Sequence, residues 1–134
     1  MAITGAIGII ADDLTGANDT ALQFFIKGSN TEIIFDTDEN IQNHPNVGTF
    51  ALTTESRNID AKEAAQKVWE GAKKLKENLS VEYFYKKIDS TLRGNIAVET
   101  LAMLDAIGYD AAVIAPAFIR EGRITIGGYQ LLKV

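Results

Sequence analysis

The sequence predicts an α/β domain: three α/β/α layers around a mainly parallel sheet, followed by a C-terminal hairpin or extended excursion. Three observations predict it. Short apolar runs of strand length recur along the chain, as expected for strands covered on both faces. Segments of helical spacing separate most of them, which is the pattern of a parallel sheet with crossover helices. With 134 residues the chain can build one core but not two.

In order, residues 7–11 are an apolar run bounded by glycine and two aspartates, and predict a buried strand. Residues 16–27 carry Ala17, Ala21, Leu22, Phe24, Phe25 and Ile26 at helical spacing, with Gly28 as the stop. Residues 31–35 predict a second strand, 36–46 a polar loop with Pro45, and 47–53 a third strand. A long helix starts at Asp60, whose spacing to Glu63 is that of a capping box. Ala64, Ala65, Val68, Trp69, Ala72 and Leu75 form its apolar face, and Lys67, Lys73, Lys74 and Lys76 its solvated side. Residues 81–88 predict a fourth strand, 96–107 a third helix stopped by Gly108, and 111–115 a fifth strand. Residues 118–134, with Gly122, Gly127 and Gly128, predict the hairpin or excursion.

Composition narrows the function classes. Hydrophobic content is 46%, charged content 23% and net charge −5, so neither nucleic acid nor an anionic membrane is the expected partner. There is no cysteine and one histidine, His44, which excludes thiolate chemistry and Cys- or His-rich metal sites. His44, beside Pro45, reads as an exposed bystander. The start lacks a basic leader and no run is long enough to span a bilayer, so the expected location is cytoplasmic.

Ligands of open parallel sheets bind beyond the carboxyl ends of the strands. Polar residues gather there: Asp12 and Asp13; Thr53, Thr54, Glu55, Ser56 and Arg57; Asp89, Ser90, Thr91 and Arg93; and Arg120, Glu121 and Arg123. One aspartate of the Asp12-Asp13 pair suffices to cap the helix, which leaves the other for a hydroxyl, a cation or a proton. The turn is not a Walker loop, so no nucleotide site is indicated. Arg57 is the residue type suited to a bidentate grip on a carboxylate. Residues 86–95 combine three cations, a carboxylate and two hydroxyls, more than helix capping by Ser90, Thr91 or Asn95 requires. Asp89 beside cations suits the orientation or deprotonation of a hydroxyl. Trp69 reads as core, and Tyr83, Phe84 and Tyr85 as packing and edge residues.

Four motifs in order carry a resemblance. They are Ala11-Asp12-Asp13-Leu14-Thr15-Gly16-Ala17-Asn18-Asp19-Thr20, Ser56-Arg57, Lys86-Lys87-Ile88-Asp89-Ser90-Thr91-Leu92-Arg93-Gly94-Asn95, and Ala115-Pro116-Ala117-Phe118 with Gly122-Arg123. Together they resemble the N-terminal domain of the four-carbon acid sugar kinases, in the branch of the D-threonate and D-erythronate kinases. Two positions depart from that pattern: Ile119 replaces a proline and Gln130 a histidine.

The resemblance implies ATP-dependent phosphorylation of a small aldonic acid on its terminal hydroxyl. It implies substrate contacts at Asp12, Arg57 and the Lys87-Ile88-Asp89-Ser90 stretch. With the strand-end residues, the expected substrate-binding set is Asp12, Asp13, Arg57, Lys87, Asp89, Ser90, Thr91 and Arg93, with Asp12 and Asp89 the candidate catalytic carboxylates. Residues 1–134 would then be an acid-sugar-binding domain, itself incomplete, without the nucleotide-binding C-terminal domain. ATP and Mg²⁺ are implied for the full-length family. No cofactor or metal is expected on this chain alone, and it is not expected to phosphorylate efficiently by itself. The expected partners are the acid sugar and a missing or separate nucleotide-binding domain, with a homodimer as a further option. The alternative is a non-catalytic acid-sugar-binding or assembly module from a truncated gene.

Overall fold

The computed structural model describes residues 5–35 and 45–133. Most of the predicted polar loop at 36–46, His44 included, lies outside these residues. The chain runs β1 (Ala6–Ala11), α1 (Leu14–Ile26), β2 (Thr31–Ile34), β3 (Thr49–Thr53), α2 (Ala61–Asn78), β4 (Val81–Lys87) and α3 (Ile96–Ile107). A short 3-10 turn (Ile119–Glu121) then leads into a hairpin of β5 (Arg123–Ile126) and β6 (Tyr129–Leu132). The main sheet has the order β2-β3-β1-β4, and all its pairings are parallel.

Side-chain alternation divides the core into two layers. Ile9 and Ala51 face α1, where they pack with Ala21. Ile10, Phe50 and Leu52 point to the other face, against Val68, Ala72 and Leu75 of α2 and Met103 and Ile107 of α3. Ile9, Ile10 and Leu52 are fully buried, and each such side chain stabilises the fold by about 1.5–3 kcal/mol. Gly8 lets α2 approach the sheet: a Cβ there would lie 2.8 Å from Val81 Cγ1 and 3.2 Å from Leu75 Cδ1.

Two sequence expectations are corrected. Residues 111–115 form no strand; among the described residues the sheet ends at β4, and the run borders a groove lined by Phe84, Met103 and Ile107. Its apolar composition signals a preference for burial but cannot supply a partner edge, and Val113 is 97% exposed. The predicted helix is present as α1: Ala17 and Ala21 are buried and Phe24 packs on the same face, while Leu22, Phe25 and Ile26 are exposed. Trp69 is no core residue: it lies at the α2–α3 seam, donates to Asp105 Oδ2 at 2.8 Å and stacks under the Lys73 ammonium. Phe84 packs edge-on against Tyr109, while Tyr83 and Tyr85 are exposed. No described helix is long and apolar enough to cross a membrane.

The topology fixes where a ligand can sit. From β1 the chain crosses by α1 on one face; from neighbouring β3 it leaves by α2 on the other. Adjacent strands whose connections diverge to opposite faces leave a crevice beyond their carboxyl ends. Ala11 pairs with Thr53 on one side and Lys87 on the other, so the three loops that follow emerge side by side.

Candidate functional site

Asp13 is the N-cap of α1, and its Oδ1 accepts from the Gly16 amide at 2.8 Å. A Cβ on Gly16 would lie 2.6 Å from that oxygen, so glycine keeps the cap open. Capping by Asp13 leaves Asp12, only 2% exposed, to another partner. That partner is Arg57. Its Nε donates to Asp12 Oδ2 at 2.7 Å and its NH2 to Oδ1 at 3.0 Å. Its NH1 pairs with Asp13 Oδ2 at 2.6 Å. Three of the five guanidinium N–H donors are thereby engaged, which fixes the plane of the group and leaves two. The Asp12 hydrogen bond, ahead of the surrounding negative charge, raises the Arg57 pKa still further above the physiological range.

Behind this contact, the backbone N–H groups of Ser56 and Arg57 both donate to the Asp12 carbonyl, at 3.0 and 3.2 Å. Gly94 closes the other side in a left-handed conformation at φ +91°. A Cβ there would lie 3.3 Å from both Arg57 Cγ and Asp12 Oδ2. Asn95 occupies the N-cap position of α3 without a side-chain cap; its amide instead bridges the carbonyls of Ser56 and Ile59, both at 3.0 Å.

The loop after β4 folds around Asp89. Arg93 donates to it from Nε at 2.9 Å and from NH2 at 2.8 Å, and Thr91 donates from both backbone and hydroxyl. The Arg93 and Thr91 hydrogen bonds hold the Asp89 carboxyl well below the usual carboxylate range, against a smaller opposing effect of burial. Lys87 Nζ donates to the Ile88 carbonyl at 2.7 Å, and Arg123 NH1 to Ser90 Oγ at 2.5 Å, so both cations meet neutral oxygens. Gln130 staples the hairpin to this loop, donating to the Ser90 carbonyl at 2.7 Å and accepting from Thr125 at 2.6 Å.

These groups border a cleft of about 800 Å³. Of the predicted residues, Asp13, Arg57, Lys87, Asp89, Ser90 and Arg93 line it, whereas Asp12 and Thr91 stand behind its wall and hold lining residues. Arg120 and Arg123 reach it from the hairpin arm rather than from a fifth strand end. Sequence reading missed the contribution of α1, from which Asp19, Thr20 and Gln23 also line the cleft. The signal was present, because Gly16, Asp19, Thr20 and Gln23 fall at i, i+3, i+4 and i+7 on one helix face. The lining holds five basic side chains against three acidic ones, in a chain of net charge −5. Such a local reversal of sign favours a small anion.

Fold and cleft thus define a parallel α/β domain with a cation-rich site at a switch point of its sheet. The chain belongs to the family of the sugar-binding N-terminal domain, whose model matches residues 7–134. It is 43% identical over 126 residues to the D-erythronate kinase of Heliobacterium modesticaldum, covering 92% of this chain and 28% of that protein. It is 39% identical over 125 residues to the D-threonate kinase of Salmonella typhimurium, covering 93% of this chain and 29% of that one. The chain therefore spans under a third of the length of these relatives. Among solved structures, it is similar to a Bordetella bronchiseptica protein described as a domain of unknown function, a domain-swapped dimer with bound citrate. That likeness has a TM-score of 0.83 and 38% identity over 94% of this chain and 32% of the other.

Proposed function

We propose that this chain is the substrate-binding part of an ATP-dependent kinase that phosphorylates a four-carbon acid sugar on its terminal hydroxyl. The observation that carries this reading is the cleft itself, in which Arg57, Lys87 and Arg123 converge at the strand ends of an otherwise acidic chain. The kinase names of the relatives and the citrate in the Bordetella structure agree with a small carboxylate ligand.

In this reading, Arg57 and Lys87 hold the substrate carboxylate. Asp13, Ser90 and Arg93 contact the hydroxyls, with Thr91 fixing the loop. Asp12 works through Arg57, which it orients, and Asp89 is the carboxylate that orients the reacting hydroxyl. A strongly acidic Asp89 is a weak base, which suits phosphoryl transfer because a loose transition state depends mostly on positioning and charge neutralisation. ATP and its Mg²⁺ belong to a nucleotide-binding domain that this reading supplies from elsewhere, with the cation on phosphate oxygens. Asp12, Asp13 and Asp89 are each engaged by an arginine, and the described residues offer no cluster of acidic or histidine ligands for a metal. No step on this chain is therefore assigned to the cation. The test is calorimetric titration of D-erythronate and D-threonate into the chain and into Arg57→Ala. Binding that weakens at least tenfold in the variant supports the reading; equal heats in both remove Arg57 from the site.

The hairpin arm favours a second, compatible reading, assembly with a second copy. Ile126, Tyr129 and Leu132 are 60%, 76% and 51% exposed, and a lone two-stranded hairpin is marginal in water. The Bordetella relative is a domain-swapped dimer. Light scattering over a dilution series tests it, and a strict monomer at every concentration would refute it.

A further inference from the structure

We propose that Glu99, held by Lys86, is a positioning residue for the Arg57 guanidinium. The importance of that guanidinium to ligands rests on the substrate reading above. Glu99 lies in the first turn of α3 and is 1% exposed, outside the cleft lining. An acidic residue at such a place ordinarily complements the helix dipole from the surface. Here it is buried and committed on both oxygens: Oε2 pairs with Lys86 Nζ at 2.8 Å, and Oε1 accepts from Ser56 Oγ at 2.6 Å. Ser56 in turn meets Thr54 Oγ1 at 2.7 Å, and Thr54 donates to the Ala11 carbonyl at 3.0 Å.

This chain of contacts joins the ends of β1, β3 and β4 to α3, immediately behind the cleft. The adjacent lysines of β4 divide its faces: Lys87 borders the cleft, while Lys86 turns to Glu99. Ser56 directly precedes Arg57, and the loop that presents them passes through a left-handed conformation at Glu55, φ +47°. A non-glycine residue keeps such a conformation only where its surroundings over-determine it. Glu99 supplies part of that determination through Ser56, as Asn95 does through the Ser56 carbonyl. Loss of the Glu99 contact leaves this loop held by the Asp12 carbonyl and Asn95 alone, without the anchor on the Ser56 side chain, and so loosens the segment that presents Arg57 to Asp12.

The experiment compares the wild-type chain with Glu99→Gln and with Ser56→Ala, which breaks the same link without leaving Lys86 unpaired. Hydrogen exchange at Arg57 Nε–H is followed by nitrogen-15 NMR, with the indole N–H of the single tryptophan, Trp69, as the control for the fold. D-erythronate affinity is measured alongside. The expected result is at least fivefold faster exchange at Arg57, an unchanged Trp69 signal and at least fivefold weaker binding in both variants. Unchanged exchange at Arg57 overturns the proposal, whatever the affinity does. Equal acceleration at Trp69 and Arg57 also overturns it, because Glu99 then supports the fold generally. If Arg57 alone loosens but the wild type binds no D-erythronate, the positioning role stands and the substrate reading falls.

Discussion

Arg57 lies bidentate on the buried Asp12 carboxylate and spends its remaining terminal nitrogen on Asp13. The contact ties the end of β1 to the loop after β3 at the point where their connections diverge. Two adjacent carboxylates on one guanidinium are not equivalent. Asp12 is buried, whereas Asp13 is partly exposed and already caps α1.

That asymmetry predicts different costs. Asp12→Ala leaves Arg57 without its principal partner and is expected to destabilise the chain by about 3 kcal/mol. Asp13→Ala removes a helix cap and a more solvated contact, and is expected to cost about 1 kcal/mol. Urea denaturation of both variants measures the difference. Equal losses would mean that the two carboxylates share Arg57 evenly.

Lys87 differs from Arg57 because its hydrogen bond goes to a neutral carbonyl. Lys87→Met is therefore expected to leave stability within about 0.5 kcal/mol of wild type. Its affinity for D-erythronate should nonetheless fall about tenfold, or about 1.4 kcal/mol. Thermal unfolding and calorimetry on the same preparation separate the two effects.

Asp89 gives the chain a pH dependence of definite sign. Its folded-state pKa is depressed, with Arg93 the largest cause. Its contribution to stability is therefore fully present above the unfolded carboxylate value of about 3.9, and is lost as pH falls through the lower folded value. Asp89→Asn is expected to lower Tm at neutral pH. The gap between variant and wild type should begin to close below about pH 4 and go on closing into stronger acid. A gap that is constant from pH 7 to pH 3 would show that the carboxylate charge is not what Arg93 stabilises.

Most of the frame was legible because it rests on period and order. Apolar runs alternating with helical segments gave the parallel sheet, and the strand-end rule brought Asp13, Arg57, Asp89 and Arg93 to one edge. The failures share a physical cause, since local pattern does not report the partner. Residues 111–115 have the composition of a strand but no paired edge, and Trp69 has the spacing of a core residue but lies at the α2–α3 seam bonded to Asp105. Glu99 drew no attention in the sequence because Lys86 and Ser56, its partners, are distant along the chain. Arg57 was recognised as a carboxylate binder, but its hold on the protein's own Asp12 and Asp13 depends on how the loops meet.

Recognition of the carboxylate of a four-carbon acid by the cleft is the proposal on which the other assignments rest. The most direct measurement is calorimetric titration of the chain with D-erythronate and with erythritol, the uncharged alcohol of the same carbon skeleton, at low and high salt. Saturable binding of D-erythronate that weakens as salt rises is expected, with no measurable heat from erythritol. Equal binding of the acid and the alcohol, or binding of the acid indifferent to salt, would contradict that proposal.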